Sequence, residues 1–293
     1  MTLDPRLNAY RNDLADEQLR GQVHATRYAA CQPAWVIAGR TAVRAKAKLI
    51  RQAEIVTYYH YGEELRVFEI TEGIAWCQSL FDSYVGYVDA RDIELGLAPA
   101  PTHYVATTAC YAYEVPDLRS FSTGYMPRHS PVRAVKTGLV TRGTEYVQLG
   151  MSGYVPLACL APEPPRSPDL VAAAELYLGC PYLWGGRSFL GIDCSGLVQA
   201  AFRDIGVTVL RDTDMQRDAI GEPVSPGSLD DLRRGDLLYL PGHVLIYAGA
   251  GAVIHADGAT MTVGRDNLAT LMRQRGLKLA DFVVRRHSKA QER

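Results

Sequence analysis

Cys194 stands between an aspartate and a serine in the stretch GIDCSG, with glycines close on both sides. Structural cysteines usually sit among apolar neighbours instead. Leu197, Val198, Ala201, Phe202 and Ile205 follow at helical spacing, and Gly206 ends the pattern. Asp193 then reads as the N-cap and Cys194 as the first helical residue. A thiol there faces unpaired backbone N–H groups and the positive end of the helix dipole, and both favour thiolate. A thiolate nucleophile needs a base and a group that orients the base. Of seven histidines, His243 opens the apolar strand HVLIYAG and His255 sits in AVIHADG. A short Gly-Ala-Gly turn between these strands lets them pair antiparallel and brings the histidines together. Cysteine–histidine catalysis is the chemistry these three residues predict.

The elements that position them are α+β in texture. RRGDLLYL, HVLIYAG, AVIHADG and DFVVRRH are four predicted strands after the cysteine helix. Before it, APEPPRSPDL holds four prolines in ten residues and reads as a linker over 161–166. The linker ends at a helix start, with Ser167 as N-cap, Pro168 at the first helical position and a helix running to about Gly179. Upstream the pattern is β. AEIVTYYHYGEELRVFEI alternates around a Tyr-Gly-Glu turn, and IAWCQSLFDSYVGYVDARDI gives two short strands joined by Asp82-Ser83. YVGYVDARDIE is echoed by MSGYVPLACLA, with the proline-bearing break LGLAPAPTHY between them. This predicts two small all-β barrels in tandem, over 28–96 and 97–160. Residues 1–27 form an extension, with a tether and a lid both open as readings, and 167–293 form the last domain.

Composition narrows the function classes. The chain has 293 residues, 47% hydrophobic and 22% charged, which suits two or three globular domains. A net charge of −1 gives no bulk attraction for nucleic acid or an acidic membrane surface. The amino-terminal stretch is charged throughout and lacks the apolar core of a secretory signal, so the cytoplasm is the expected location. No apolar run is long enough to predict a membrane span. Six scattered cysteines without CxxC or zinc spacing predict free thiols, and no metal or cofactor is expected.

The run CPYLWGGRSFLGIDCSGLVQAAFRDIGVTVLRDTDMQ, with RRGDLLYL, GHVLIYAG and VIHADG, resembles the NlpC/p60 family of papain-like cysteine peptidases, which cleave peptides of the bacterial cell wall. The resemblance covers 167–287. It implies Cys194 as nucleophile, His243 as general base, His255 as the residue orienting the base, and Tyr182 as a hydroxyl supporting the oxyanion. Trp184 is expected to pack against substrate, and Asp193 and Ser195, flanking the nucleophile, are placed with the substrate-binding residues. The upstream half resembles bacterial SH3-like (SH3b) domains through YGEELRVF and DSYVGYVD. The full order is similar to the γ-D-glutamyl-L-diamino acid endopeptidases of the dipeptidyl-peptidase VI type, which release L-Ala-γ-D-Glu from murein stem peptides with a free amino end. That resemblance implies an ammonium held by Glu63 (or Glu64), Tyr84 and the pair Asp212-Thr213. Threonine there departs from the family's serine but keeps a hydroxyl. A general hydrolase or amidase of polymeric wall, and a non-catalytic wall-binding protein, are the competing readings. The sequence leaves the diamino acid, the role of the second barrel and the oligomeric state open.

Overall fold

The computed structural model describes residues 3–47, 54–150 and 153–290. The chain divides into two compact units, Met1–Pro165 and Arg166–Arg293.

The amino-terminal unit is almost entirely β. Its largest sheet has seven strands in the order Ile55–His60, Arg40–Arg44, Val85–Asp89, Ile74–Ser79, Glu64–Thr71, Gln32–Val36 and Ile93–Leu95. Ile74–Ser79 and Val85–Asp89 form the expected hairpin around Asp82-Ser83, with Cys77 opposite Gly86. Strands Ile55–His60 and Glu64–Thr71 flank the Tyr-Gly-Glu turn but do not pair with each other. The first pairs with Arg40–Arg44 and the second with Ile74–Ser79 and Gln32–Val36. Ala34, Val36, Val43, Tyr59, Val67 and Val88 fill the core of this sheet. Sheets of five and three strands follow, closed on Val105, Cys110, Ala112, Met126, Val147 and Val155. The two similar motifs take one local form. Val85–Asp89, a 3₁₀ turn at Ala90–Asp92 and Ile93–Leu95 correspond to Tyr154–Pro156, a 3₁₀ turn at Leu157–Cys159 and Leu160–Ala161. Met151 and Ser152, at the start of the second motif, lie outside the described residues.

The extension is docked rather than tethered. Ala9 and Leu14 pack with Phe68 and Trp76, the Leu7 carbonyl accepts from the Gln78 side chain, and Arg66 pairs with Asp16 at 2.5 Å. Leu14–Asp16 also pairs in parallel with Arg27–Ala29.

The carboxy-terminal unit carries a six-stranded antiparallel sheet in the order Glu222–Val224, Val283–Arg286, Leu237–Leu240, His243–Gly249, Ala252–Asp257 and Thr262–Asn267. Alternate residues serve two cores, as a strand covered on both faces requires. Val244, Ile246 and Ile254 pack with Leu197, Val198 and Phe202 of the helix Cys194–Asp204. Leu245, Tyr247 and Val253 pack with Leu268 and Leu271 of the helix Leu268–Arg275. The helix after the linker is Leu170–Glu175, and its N-cap is Asp169 rather than Ser167. The Asp169 carboxylate accepts from the Ala172 N–H at 2.7 Å and pairs with Arg234, whereas the Ser167 hydroxyl donates to Asp204. An ionised cap held by a cation wins over a hydroxyl that has another partner.

Candidate active site

The nucleophile helix begins as its sequence dictates. Asp193 is extended and non-helical, and its Oδ1 accepts from the Gly196 N–H at 2.7 Å, so Cys194 is the first helical residue. At the other end Gly206 adopts φ +78°. The helix start is packed main chain to main chain. A Cβ on Gly196 would overlap the Gly186 carbonyl oxygen, and one on Gly186 would overlap the Gly191 carbonyl, so glycine is required at both. This fixes the loop carrying Tyr182 and Trp184 against the first turn of the helix.

Cys194 is buried, at 6% exposure. Its Sγ lies 3.9 Å from the Gly242 carbonyl oxygen and accepts from the Val244 N–H, the main chain on either side of His243. His243 Nε2 is 2.9 Å from His255 Nδ1, and His255 Nε2 is 3.0 Å from Asp266 Oδ2. The structure therefore sets the Cys194 sulfur against the main chain flanking His243 and joins the side chains of His243, His255 and Asp266 in a row.

Electrostatics depart from the expected thiolate. Burial, then the neighbouring Asp193 charge, pushes the Cys194 thiol up to about 11. The helix terminus and Arg211 oppose this, but desolvation of a nearly enclosed sulfur is the larger effect. Burial and then His255 push His243 down to about 4. Both shifts favour the uncharged forms near neutral pH, a thiol at Cys194 and a neutral imidazole at His243. The Tyr182 phenol, raised to about 12 by burial and then by the Cys194 and Asp193 charges, stays protonated and able to donate.

Asp193 and Ser195 do not face outward as substrate ligands. Arg211, at 1% exposure, donates to Asp193 Oδ2 and to the Ser195 hydroxyl, both at 2.6 Å. Asp193 further accepts from the Gly185 N–H, and the Gln216 amide donates to the Ser195 carbonyl. With these partners the two residues brace the helix start, a role the sequence reading missed because an arginine in LRDTDMQ looks like a surface residue. Asp212 and Thr213 are half-buried at the start of the helix Thr213–Ala219. Trp184 is 61% exposed. In the other unit, Glu63 and Tyr84 are both buried, while Glu64 is exposed. Glu63 lies 3.8 Å from His60, and the Tyr84 carbonyl accepts from the Tyr59 hydroxyl.

Residues 179–280 match the NlpC/P60 family, and residues 50–93 match the bacterial dipeptidyl-peptidase Sh3 domain. The chain is similar to dipeptidyl-peptidase 6 of Lysinibacillus sphaericus, 43% identical over 89 residues, covering 30% of this chain and 32% of that one. It is also similar to the gamma-D-glutamyl-L-lysine dipeptidyl-peptidase of Bacillus subtilis strain 168, 38% identical over 96 residues, covering 30% and 31%. The match thus spans about a third of each relative's length. In fold it is similar to a crystal structure of an NlpC/P60 family protein from Bacillus cereus, with a TM-score of 0.69, 18% identity and coverage of 87% of this chain and 99% of that one.

Proposed function

We propose that this chain, which carries an NlpC/P60 domain and a bacterial dipeptidyl-peptidase SH3 domain, is a cysteine peptidase that cuts the γ-D-Glu–L-diamino acid bond of free murein stem peptides and releases L-Ala-γ-D-Glu. The observation that carries the chemistry is the Cys194 sulfur held against the main chain at His243, whose imidazole is hydrogen-bonded to His255. As the Cys194 sulfur bonds to the scissile carbonyl carbon, its proton passes to His243. The carbonyl electrons move to an oxyanion that the Tyr182 hydroxyl can meet. Collapse breaks the C–N bond, the amine leaves with the proton from His243, and water hydrolyses the thioester.

The name of the Bacillus subtilis relative, a gamma-D-glutamyl-L-lysine dipeptidyl-peptidase, supports the γ-glutamyl substrate. Within this reading the β elements upstream are two SH3-like modules, and Glu63 with Tyr84 recognises the free amino end. The proposed compartment is the cytoplasm. All six cysteines are free, which suits a reducing environment. Among the described residues, no helix is long and apolar enough to cross a membrane.

The test compares L-Ala-γ-D-Glu-L-Lys with its N-acetylated form by mass spectrometry of the products. The free peptide should be cut and the acetylated one spared, because a buried carboxylate facing an uncharged amide loses its ionic partner, at about 1–3 kcal/mol per group. Cys194→Ala should abolish cleavage, and Cys180→Ala should retain it, since the Cys180 sulfur is directed at the Ser188 and Phe189 carbonyls. Equal kcat/KM for the two peptides would favour a general wall hydrolase.

A further inference from the structure

The strand Thr262–Asn267 lies at the edge of the carboxy-terminal sheet and pairs with Ala252–Asp257, His255 opposite Gly264 and Val253 opposite Asp266. Asp266 is therefore the diagonal cross-strand neighbour of His255, on the same face and within side-chain reach. Gly264, directly opposite the histidine, has no side chain to occupy the space, and the Asp266 Oδ2 lies 3.7 Å from where its Cβ would be. The carboxylate uses that space and reaches His255 Nε2 at 3.0 Å.

These contacts fix the protons along the row. An ionised carboxylate only accepts, so neutral His255 carries its proton on Nε2 and donates it to Asp266. His255 Nδ1 is then an acceptor, so His243 Nε2 donates to it across 2.9 Å. That leaves the lone pair of His243 on Nδ1, the tautomer required of a base whose Nε2 is engaged elsewhere. We propose that Asp266 is a positioning residue for the peptidase reaction, setting the tautomer of His255 and, through it, the basic nitrogen of His243. This rests on the cysteine-peptidase reading above. Without Asp266, His255 is free to carry its proton on Nδ1 and donate it to His243 Nε2. His243 would then carry its own proton on Nδ1 and could not accept one there. The other charged groups facing His243 are Asp257 and Arg275, which pair with each other at 2.6 Å, and Asp257 also faces His255.

The experiment uses the full chain with ¹⁵N-labelled histidine, and L-Ala-γ-D-Glu-L-Lys as substrate. In the wild type, long-range ¹H–¹⁵N spectra should show His243 and His255 protonated on Nε2. Asp266→Ala should shift His255 toward the Nδ1–H form and lower kcat about 10- to 100-fold with KM nearly unchanged, the scale of outer orienting partners. Asp266→Asn, which keeps an acceptor oxygen of the same shape, should recover part of that loss, an outcome that mere loss of folding would not give. A kcat for Asp266→Ala within twofold of wild type, or a His255 ring that keeps its Nε2 proton in that variant, would overturn the proposal. Cys194→Ala separates the two readings. If it still hydrolyses the peptide, the peptidase reading fails, and the ring-nitrogen spectra still decide the role of Asp266.

Discussion

Replacing Arg211 by Met tests whether the helix start depends on a buried ion pair. The guanidinium is 1% exposed and makes 2.6 Å bonds to Asp193 Oδ2 and the Ser195 hydroxyl. Removing one partner of a buried pair costs about 3–5 kcal/mol, because the other charge is stranded. Here Asp193 keeps the Gly185 and Gly196 N–H groups and the Ser195 hydroxyl, which points to the lower end, about 3 kcal/mol. For a unit of this size that is roughly 10 °C in Tm. Because the chain has two compact units, the assay must report the second alone. Pulsed alkylation of Cys180, fully buried in that unit, along a urea titration does so when read by peptide mass spectrometry. Asp193→Asn combined with Arg211→Met should cost less than the two single changes summed, by about 1 kcal/mol or more. A loss below about 1 kcal/mol for Arg211→Met, or strict additivity in the double variant, would refute the reasoning.

Three further outcomes follow from the site. His243 acts as base only when neutral and is pushed down to about 4, so the acid limb of kcat/KM should fall near pH 4, and Cys194, at about 11, should give no alkaline loss through pH 9; an acid limb at the ordinary histidine value near 6.5 would contradict this. The same depressed value makes the unfolded chain bind more protons between about pH 6.5 and 4, so the His243 contribution to stability is lost across that window as pH falls, which urea midpoints at pH 7 and 5 can check. Gly196→Ala would drive a Cβ into the Gly186 carbonyl oxygen and should destabilise by roughly 3 kcal/mol while abolishing hydrolysis; a variant of near wild-type stability and rate would show that the loop yields.

What could be read from the sequence was local. The nucleophile helix announces itself through Asp193, the apolar repeat from Leu197 to Ile205 and the closing Gly206, all of which act within a few residues. His243 and His255 were legible because each sits in an apolar strand with a short turn between. Long-range features were not. Strands Ile55–His60 and Glu64–Thr71 look like a hairpin, but which strand each takes as partner depends on segments distant in the chain. Thr262–Asn267 escaped notice because an edge strand containing Gly264, Arg265 and Asp266 lacks the β-branched pattern that marks a central one. Asp266 was hidden with it. Arg211 was missed for a different reason, since nothing in its neighbours shows that its charge is buried. The protonation state of Cys194 was not legible because helix position is local, whereas desolvation is set by everything that encloses the sulfur.

The enclosure of Cys194 has a consequence outside peptide hydrolysis. Peroxides and electrophiles react with thiolate and with sulfur they can reach, and the resting sulfur here offers little of either. The free enzyme should therefore pass through oxidative stress with its nucleophile in the reduced form, where an exposed thiolate would climb to sulfenic and sulfinic acid. Sensitivity would be confined to turnover, when the proton moves to His243. Inhibitors that must first find a thiolate would see the enzyme only while it is working.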